Sequence, residues 1–102
     1  MTPEQLSEQL AAIYRLAAER IDAGKSLCAC FAISSARQEL RLPLSAHDHA
    51  HRLFCLAFKP PETPVFRQWF GAYEKENQQR RVLALLTMEQ IALGNVMQPG
   101  EE

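Results

Sequence analysis

The sequence predicts an all-α protein, a compact bundle of four to five short helices in one domain spanning residues 1–102. Apolar residues recur at three- and four-residue steps along most of the chain, as they do on the buried face of a helix. Capping residues and prolines precede several of these segments. Hydrophobic residues make up 47% and charged residues 23% of the chain, a composition typical of a globular domain.

The first helix is predicted to begin at Pro3 and to end near Ala23. Thr2 can cap it, and Gln5 stands where a capping-box side chain reaches back. Gly24 suits the left-handed conformation that follows many helices. The apolar positions form one narrow line along this helix: Leu6, Leu10, Ile13, Ala17 and Ile21. Because such a line can pair with a twin, we expect a homodimer.

A second helix is predicted between Ser26 and Pro43. The apolar run at residues 27–33 is compatible with a buried strand or with one flank of a helix. Ser26 as a cap and the alanines at 29, 32 and 36 favour the helix. Pro43 should stop it, since the residue before a proline is pushed out of helical geometry.

The third helix is predicted at residues 46–58, capped by Ser45 and ended by Pro60 and Pro61. Asp48 lies in its first turn, where a carboxylate complements the helix dipole. Its apolar side is expected to consist of Ala46, Ala50, Leu53, Phe54 and Ala57.

Residues 64–94 are predicted to form one long helix or two short ones. Thr63 and Pro64 begin this segment, and Asn77 is a possible cap for a separate last helix. Gly94 and Asn95 should end it, leaving residues 95–102 as a frayed tail. A broad apolar face is expected in the last part: Val82, Leu83, Leu85, Leu86, Ile91 and Leu93.

The charge balance argues against nucleic acid and membrane partners. The net charge is −1, so no overall positive field draws the chain to phosphate, and Arg80 and Arg81 among acidic neighbours indicate a solvated helix end. Charges in the first twenty residues are incompatible with a secretory signal, and no apolar run is long enough to span a bilayer. Three cysteines cannot all pair within one chain, which favours a reduced, cytoplasmic location.

The segment around the three histidines is a candidate metal site. His47, His51 and Cys55 share one face of the predicted third helix at four-residue spacing, and imidazole and thiolate are ligands that zinc prefers. Cys28 or Cys30 could complete a tetrahedron. However, the Cys-X2-Cys pair that is usual in zinc sites is absent. Solvent-exposed histidines and small buried cysteines explain the same pattern without a metal. We therefore expect no metal and no cofactor.

Catalysis is not predicted either. Cys55 and His51 could act as a nucleophile and a base, but no orienting third group and no oxyanion pocket is recognisable in the sequence. The glycines are isolated, so a glycine-rich phosphate loop is also missing.

The predicted partner-binding surface is an aromatic stripe at three- and four-residue spacing: Phe66, Trp69, Phe70 and Tyr73. Aromatic side chains dominate interface hot spots, although the same stripe is typical of a core helix. We expect part of it to seal the core and Trp69 or Tyr73 to reach a partner.

The segments "IDAGKSLCACFAI" and "RVLALLTMEQIA" resemble small uncharacterised accessory proteins of bacterial phages and prophages. The resemblance implies a protein that binds and modulates a host protein, and it assigns no functional residue. The sequence therefore favours a non-enzymatic interaction module, an inhibitor or regulator. A metal-binding or sensing domain is the alternative, and a small DNA-binding regulator is a further one.

Overall fold

The computed structural model describes residues 2–26, 28–57 and 78–95. Within these ranges the chain forms four helices and no strand, which confirms the all-α prediction. The helices are α1 (Pro3–Asp22), α2 (Ala29–Glu39), α3 (Leu44–Ala57) and α4 (Gln78–Ala92). α1 packs against each of the others, and α2 also packs against α3. No helix in the described ranges has the length and apolarity needed to cross a lipid bilayer.

Both ends of α1 follow the sequence prediction. The Thr2 hydroxyl accepts from the Gln5 amide at 3.2 Å, and the Gln5 side chain accepts from the Thr2 amide at 2.9 Å. Gly24 follows the helix with φ +75°, the left-handed conformation that glycine adopts without a steric penalty. The Gln78 side-chain amide donates to the Ile21 carbonyl at 2.6 Å, so α4 supplies a hydrogen-bond donor to the last turn of α1.

α2 is a helix as predicted, but the prediction that Ser26 caps it was wrong. The helix begins at Ala29, and its N-cap residue is Cys28, which makes no side-chain capping bond. The Ser26 amide instead donates to the Arg20 carbonyl at 3.4 Å, and the Ser26 hydroxyl is buried. The backbone amides of residues 24–26 donate to carbonyls in the last turn of α1, so α2 begins only at Ala29.

The prediction that Ser45 caps the third helix was also wrong. α2 ends at Glu39, and Arg41 takes a positive φ of 55°, so the helix stops before Pro43 is reached. α3 begins at Leu44, which places Ser45 inside the first turn and not at the cap. The Pro43 carbonyl accepts the first bond of α3 from the Ala46 amide at 3.0 Å.

α1 buries much more than the narrow line that the sequence predicted. Tyr14, Ala11 and Ala18 are buried alongside the predicted residues, because α4 and the α2–α3 pair each cover part of its surface. The predicted positions Ile13, Ala17 and Ile21 are at most 1% exposed within the single chain. These positions of the apolar line therefore belong to the core of the single chain, and the homodimer stays a prediction.

α4 differs from its prediction in which residues face inward. Val82 and Leu85 are buried as expected, and Gly94 ends the helix with φ +78°. Leu83 and Leu93 are instead exposed, which corrects the broad apolar face. The sequence predicted that Arg80 and Arg81 would both face solvent, and of the two only Arg80 is exposed. Arg81 is buried, because a helical repeat places it in line with Leu85 and Met88.

Some predictions fall on residues outside the described ranges. They are the end of the third helix at Pro60 and Pro61, the helix start at Pro64, the cap at Asn77, and all but the first residue of the predicted tail at residues 95–102. The choice between one helix and two over residues 64–94 lies there as well.

Tyr14 is the largest fully buried side chain among the described residues. Its hydroxyl donates to the Ala50 carbonyl at 2.7 Å, so a polar bond links α1 to α3 inside the apolar interior. Burial raises the pKa of Tyr14 well above its usual value, and the nearby Cys55 thiolate adds to this shift. The neutral phenol is the form that the core holds.

Replacing Tyr14 by phenylalanine should lower the free energy of unfolding by about 1 kcal/mol, since one buried hydrogen bond is lost while the ring remains. Urea denaturation followed by circular dichroism measures this. Thr87→Val is the matched control, because the Thr87 hydroxyl also donates to a backbone carbonyl at 2.7 Å, but locally within α4. We expect the control to change stability by less than about 0.5 kcal/mol. Equal losses in both variants would contradict the structural role of Tyr14.

The raised pKa of Tyr14 predicts a loss of stability in alkali. The unfolded chain ionises this phenol near pH 10, whereas the folded chain keeps the proton. The stabilisation is fully present below about pH 10 and falls by about 1.4 kcal/mol per pH unit as the pH rises towards the folded pKa. Urea titrations between pH 8 and 11 should show the wild type losing stability more steeply than Tyr14→Phe. Parallel pH profiles for the two proteins would argue against burial as the cause.

Candidate functional site

All histidines and cysteines of the chain lie on α2 and α3 or at the start of α2. The sequence has three of each, and all six are described. Cys28 and Cys30 stand at the beginning of α2, and Cys55 stands in the last turn of α3. Because α2 packs against α3 across a short connection, these two ends lie side by side.

His51 and Cys55 contact each other directly. The His51 Nε2 atom lies 3.7 Å from the Cys55 Sγ atom, one helical turn apart on α3. Cys55 is exposed and His51 is half-buried, so solvent reaches the pair. The four-residue spacing produces this contact, because residues i and i+4 lie above one another on a helix.

His47 lies on the same face of α3 as His51 and Cys55 but does not contact the Cys55 sulfur in the way that His51 does. Its ring stacks on that of His51 with the centroids 5.9 Å apart and the planes 16° from parallel. The His47 Nδ1 atom lies 3.5 Å from a carboxylate oxygen of Asp48. His47 is thus aligned with the pair and turned towards a different neighbour.

The structure places the three candidate ligands of the alternative metal site on one helix and brings two of them into contact. His47, His51 and Cys55 do lie along one face of α3. However, no group of three histidine, cysteine, aspartate or glutamate side chains in residues 2–26, 28–57 and 78–95 is arranged to hold a metal ion. Within one chain the structure brings two of the three candidate ligands together.

Cys30 interacts electrostatically with the other thiols. Partial burial of the thiol raises the pKa of Cys30, and the negative charge of a Cys55 thiolate raises it further, with a smaller effect from Cys28. A hydrogen bond at its own backbone opposes the shift. The three cysteines are free thiols.

Two large apolar side chains stand in solvent beside these thiols. Phe31 is 61% exposed at the start of α2, and Leu56 is 62% exposed at the end of α3. We refer to Cys30, Phe31, Cys55 and Leu56 as the apolar–thiol surface. These residues follow one another in pairs on two packed helices, so they form one end of the α2–α3 pair.

Sequence reasoning missed this surface because it interpreted the run at residues 27–33 as a buried strand or one flank of a helix and assigned none of its residues to an exposed face. The signal that could have found it is the helical phase of α2. Its inward positions are Ala29, Ala32, Ile33 and Ala36. Positions 30 and 31 point away from that face, which leaves a phenylalanine in water.

The aromatic stripe predicted to bind a partner lies outside the described residues: Phe66, Trp69, Phe70 and Tyr73. Its role stays a prediction from the sequence.

Comparisons of the chain with models of protein families, with curated proteins and with solved structures found no match.

The coupling between thiols predicts a specific change in reactivity. Cys55→Ser removes a negative charge near Cys30 and should therefore lower the pKa of Cys30. The pH dependence of Cys30 alkylation by iodoacetamide, followed by peptide mass spectrometry, measures that pKa. Cys28→Ser is the control and should produce a smaller downward shift. An unchanged Cys30 profile in Cys55→Ser would contradict the proximity of the two thiols.

Proposed function

We propose that this chain is a small non-enzymatic protein–protein interaction module, an inhibitor or regulator that acts by binding a protein partner. The exposure of Phe31 and Leu56 is the observation that carries the proposal. Both side chains belong to the apolar–thiol surface, Phe31 at the start of α2 and Leu56 at the end of α3.

The physical reason is the free energy of burying apolar surface. Moving a phenylalanine or leucine side chain from water to an apolar environment is favourable by about 1.5 to 3 kcal/mol. Aromatic residues also contribute disproportionately to interfaces, since they offer a large contact area with few rotatable bonds. A partner with an apolar recess could cover Phe31 and Leu56 together.

The kind of partner follows from charge and from resemblance. A net charge of −1 gives the chain no electrostatic attraction for nucleic acid, so a protein is the favoured partner. The resemblance to phage and prophage accessory proteins supports a bacterial host protein. The aromatic stripe at Phe66, Trp69, Phe70 and Tyr73 is proposed as a second part of the contact.

The test replaces apolar area with polar area on the apolar–thiol surface. The Phe31→Gln and Leu56→Gln double variant should lose at least tenfold in affinity for the partner, about 1.4 kcal/mol or more. The partner is first identified as a stoichiometric companion of the tag-free chain, and its binding is then measured by calorimetry with purified proteins. Leu83→Gln is the matched control, because Leu83 on α4 is also 62% exposed.

Three results would decide the proposal. Loss of affinity in the double variant with retention in Leu83→Gln supports it, provided that circular dichroism shows all variants to be folded. Equal binding by the wild type and the double variant would remove the apolar–thiol surface from the proposal, and Trp69→Ala would then test the aromatic stripe. The lack of any stoichiometric protein companion would contradict the function itself.

A further inference from the structure

We propose that His51 and Cys55 form one half of a zinc-type metal site, and that a second copy of the chain supplies the other half. The two copies are related by a twofold axis, so each contributes one imidazole nitrogen and one thiolate sulfur. Metal binding and dimerisation therefore require each other, because each copy supplies two of the four ligands.

The spacing of the two atoms fits a shared metal ion. Zinc binds sulfur at about 2.3 Å and imidazole nitrogen at about 2.0 Å, so tetrahedral geometry holds the two ligand atoms about 3.5 Å apart. The observed separation between His51 Nε2 and Cys55 Sγ is 3.7 Å. The pair thus needs only a small adjustment to chelate the ion.

Among the described residues of a single chain, His51 and Cys55 are the two candidate ligands in direct contact. All six histidines and cysteines are described, so no further imidazole or thiol exists elsewhere in the sequence. No three metal-binding side chains converge among the described residues. Zinc prefers four ligands, and two copies of a two-ligand pair provide that number through an isologous contact.

The surroundings of the pair allow a second copy to approach. Cys55 is exposed at the end of α3, and its neighbour Leu56 is 62% exposed. Phe31 stands at the adjacent end of α2 and is exposed to the same extent. A twofold contact centred on Cys55 would remove these apolar side chains from water on both copies, which adds a hydrophobic contribution to the metal bonds.

The binding step is balanced by release of protons. Each Cys55 thiol gives its proton to the solvent and binds as a thiolate. Each His51 stays neutral, donates the Nε2 lone pair to the metal and keeps its proton on Nδ1. One divalent cation and two thiolates leave the four-ligand centre electrically neutral, which suits a partly buried interface.

This inference is independent of the proposed function, because it requires no protein other than the chain itself. The two contacts share the apolar–thiol surface, so a metal-bridged dimer should compete with a protein partner. Measurement of partner binding in the presence of a chelator separates them.

The experiment is sedimentation velocity of the tag-free full chain in a reducing buffer, with zinc added and then removed by a chelator. We expect a monomer without metal and a dimer with one zinc per two chains, reversed by the chelator. Cobalt replaces zinc as a spectroscopic probe, since cobalt–thiolate bonds absorb in the near ultraviolet. His51→Ala and Cys55→Ser should abolish the dimer and at least halve the cobalt signal.

The matched controls replace other histidines and cysteines of the same region, which the proposal does not make metal ligands. His49→Ala and Cys28→Ser should keep the zinc-dependent dimer, because these residues belong neither to the contacting pair nor to the apolar–thiol surface. A stoichiometry of one zinc per chain without dimerisation would overturn the proposal. A dimer that persists in Cys55→Ser would overturn it equally.

Discussion

Close packing of α1 through small side chains is the constraint on which the rest of the structure depends. Ala17 on α1, Ala32 and Ala36 on α2, and Ala50 on α3 are all fully buried. Because alanine keeps helix backbones near one another, the Tyr14 hydroxyl can reach the Ala50 carbonyl at 2.7 Å. The same approach sets the start of α2 beside the end of α3 and so assembles the apolar–thiol surface.

The sequence predicted the features that depend on local chemistry. The capping box of Thr2 and Gln5, the left-handed glycines 24 and 94, and the helical nature of α2 all follow from neighbouring residues. The caps assigned to Ser26 and Ser45 failed for a non-local reason. Residues 24–26 complete α1, and the Pro43 carbonyl already begins α3, so neither serine stands at a free helix start.

The orientation of each helix about its own axis was harder to predict than its existence. Arg81 is buried while Leu83 is exposed, because neighbours of α4 decide which of its faces turns inward. In the candidate site, too, the sequence predicted one feature correctly and not the other. Four-residue spacing correctly placed His51 beside Cys55, whereas the stacking of His47 depends on side-chain rotamers that periodicity does not encode.

The bonds from the Gln78 side chain to the carbonyls of Ile21 and Asp22 have a consequence for biosynthesis. α1 is synthesised before α4, yet the Gln78 side chain that completes the end of α1 belongs to α4. A nascent chain lacking α4 exposes apolar positions of α1 to water, the kind of surface that chaperones and proteases recognise. Premature termination upstream of Gln78 therefore leaves the end of α1 without these two hydrogen bonds.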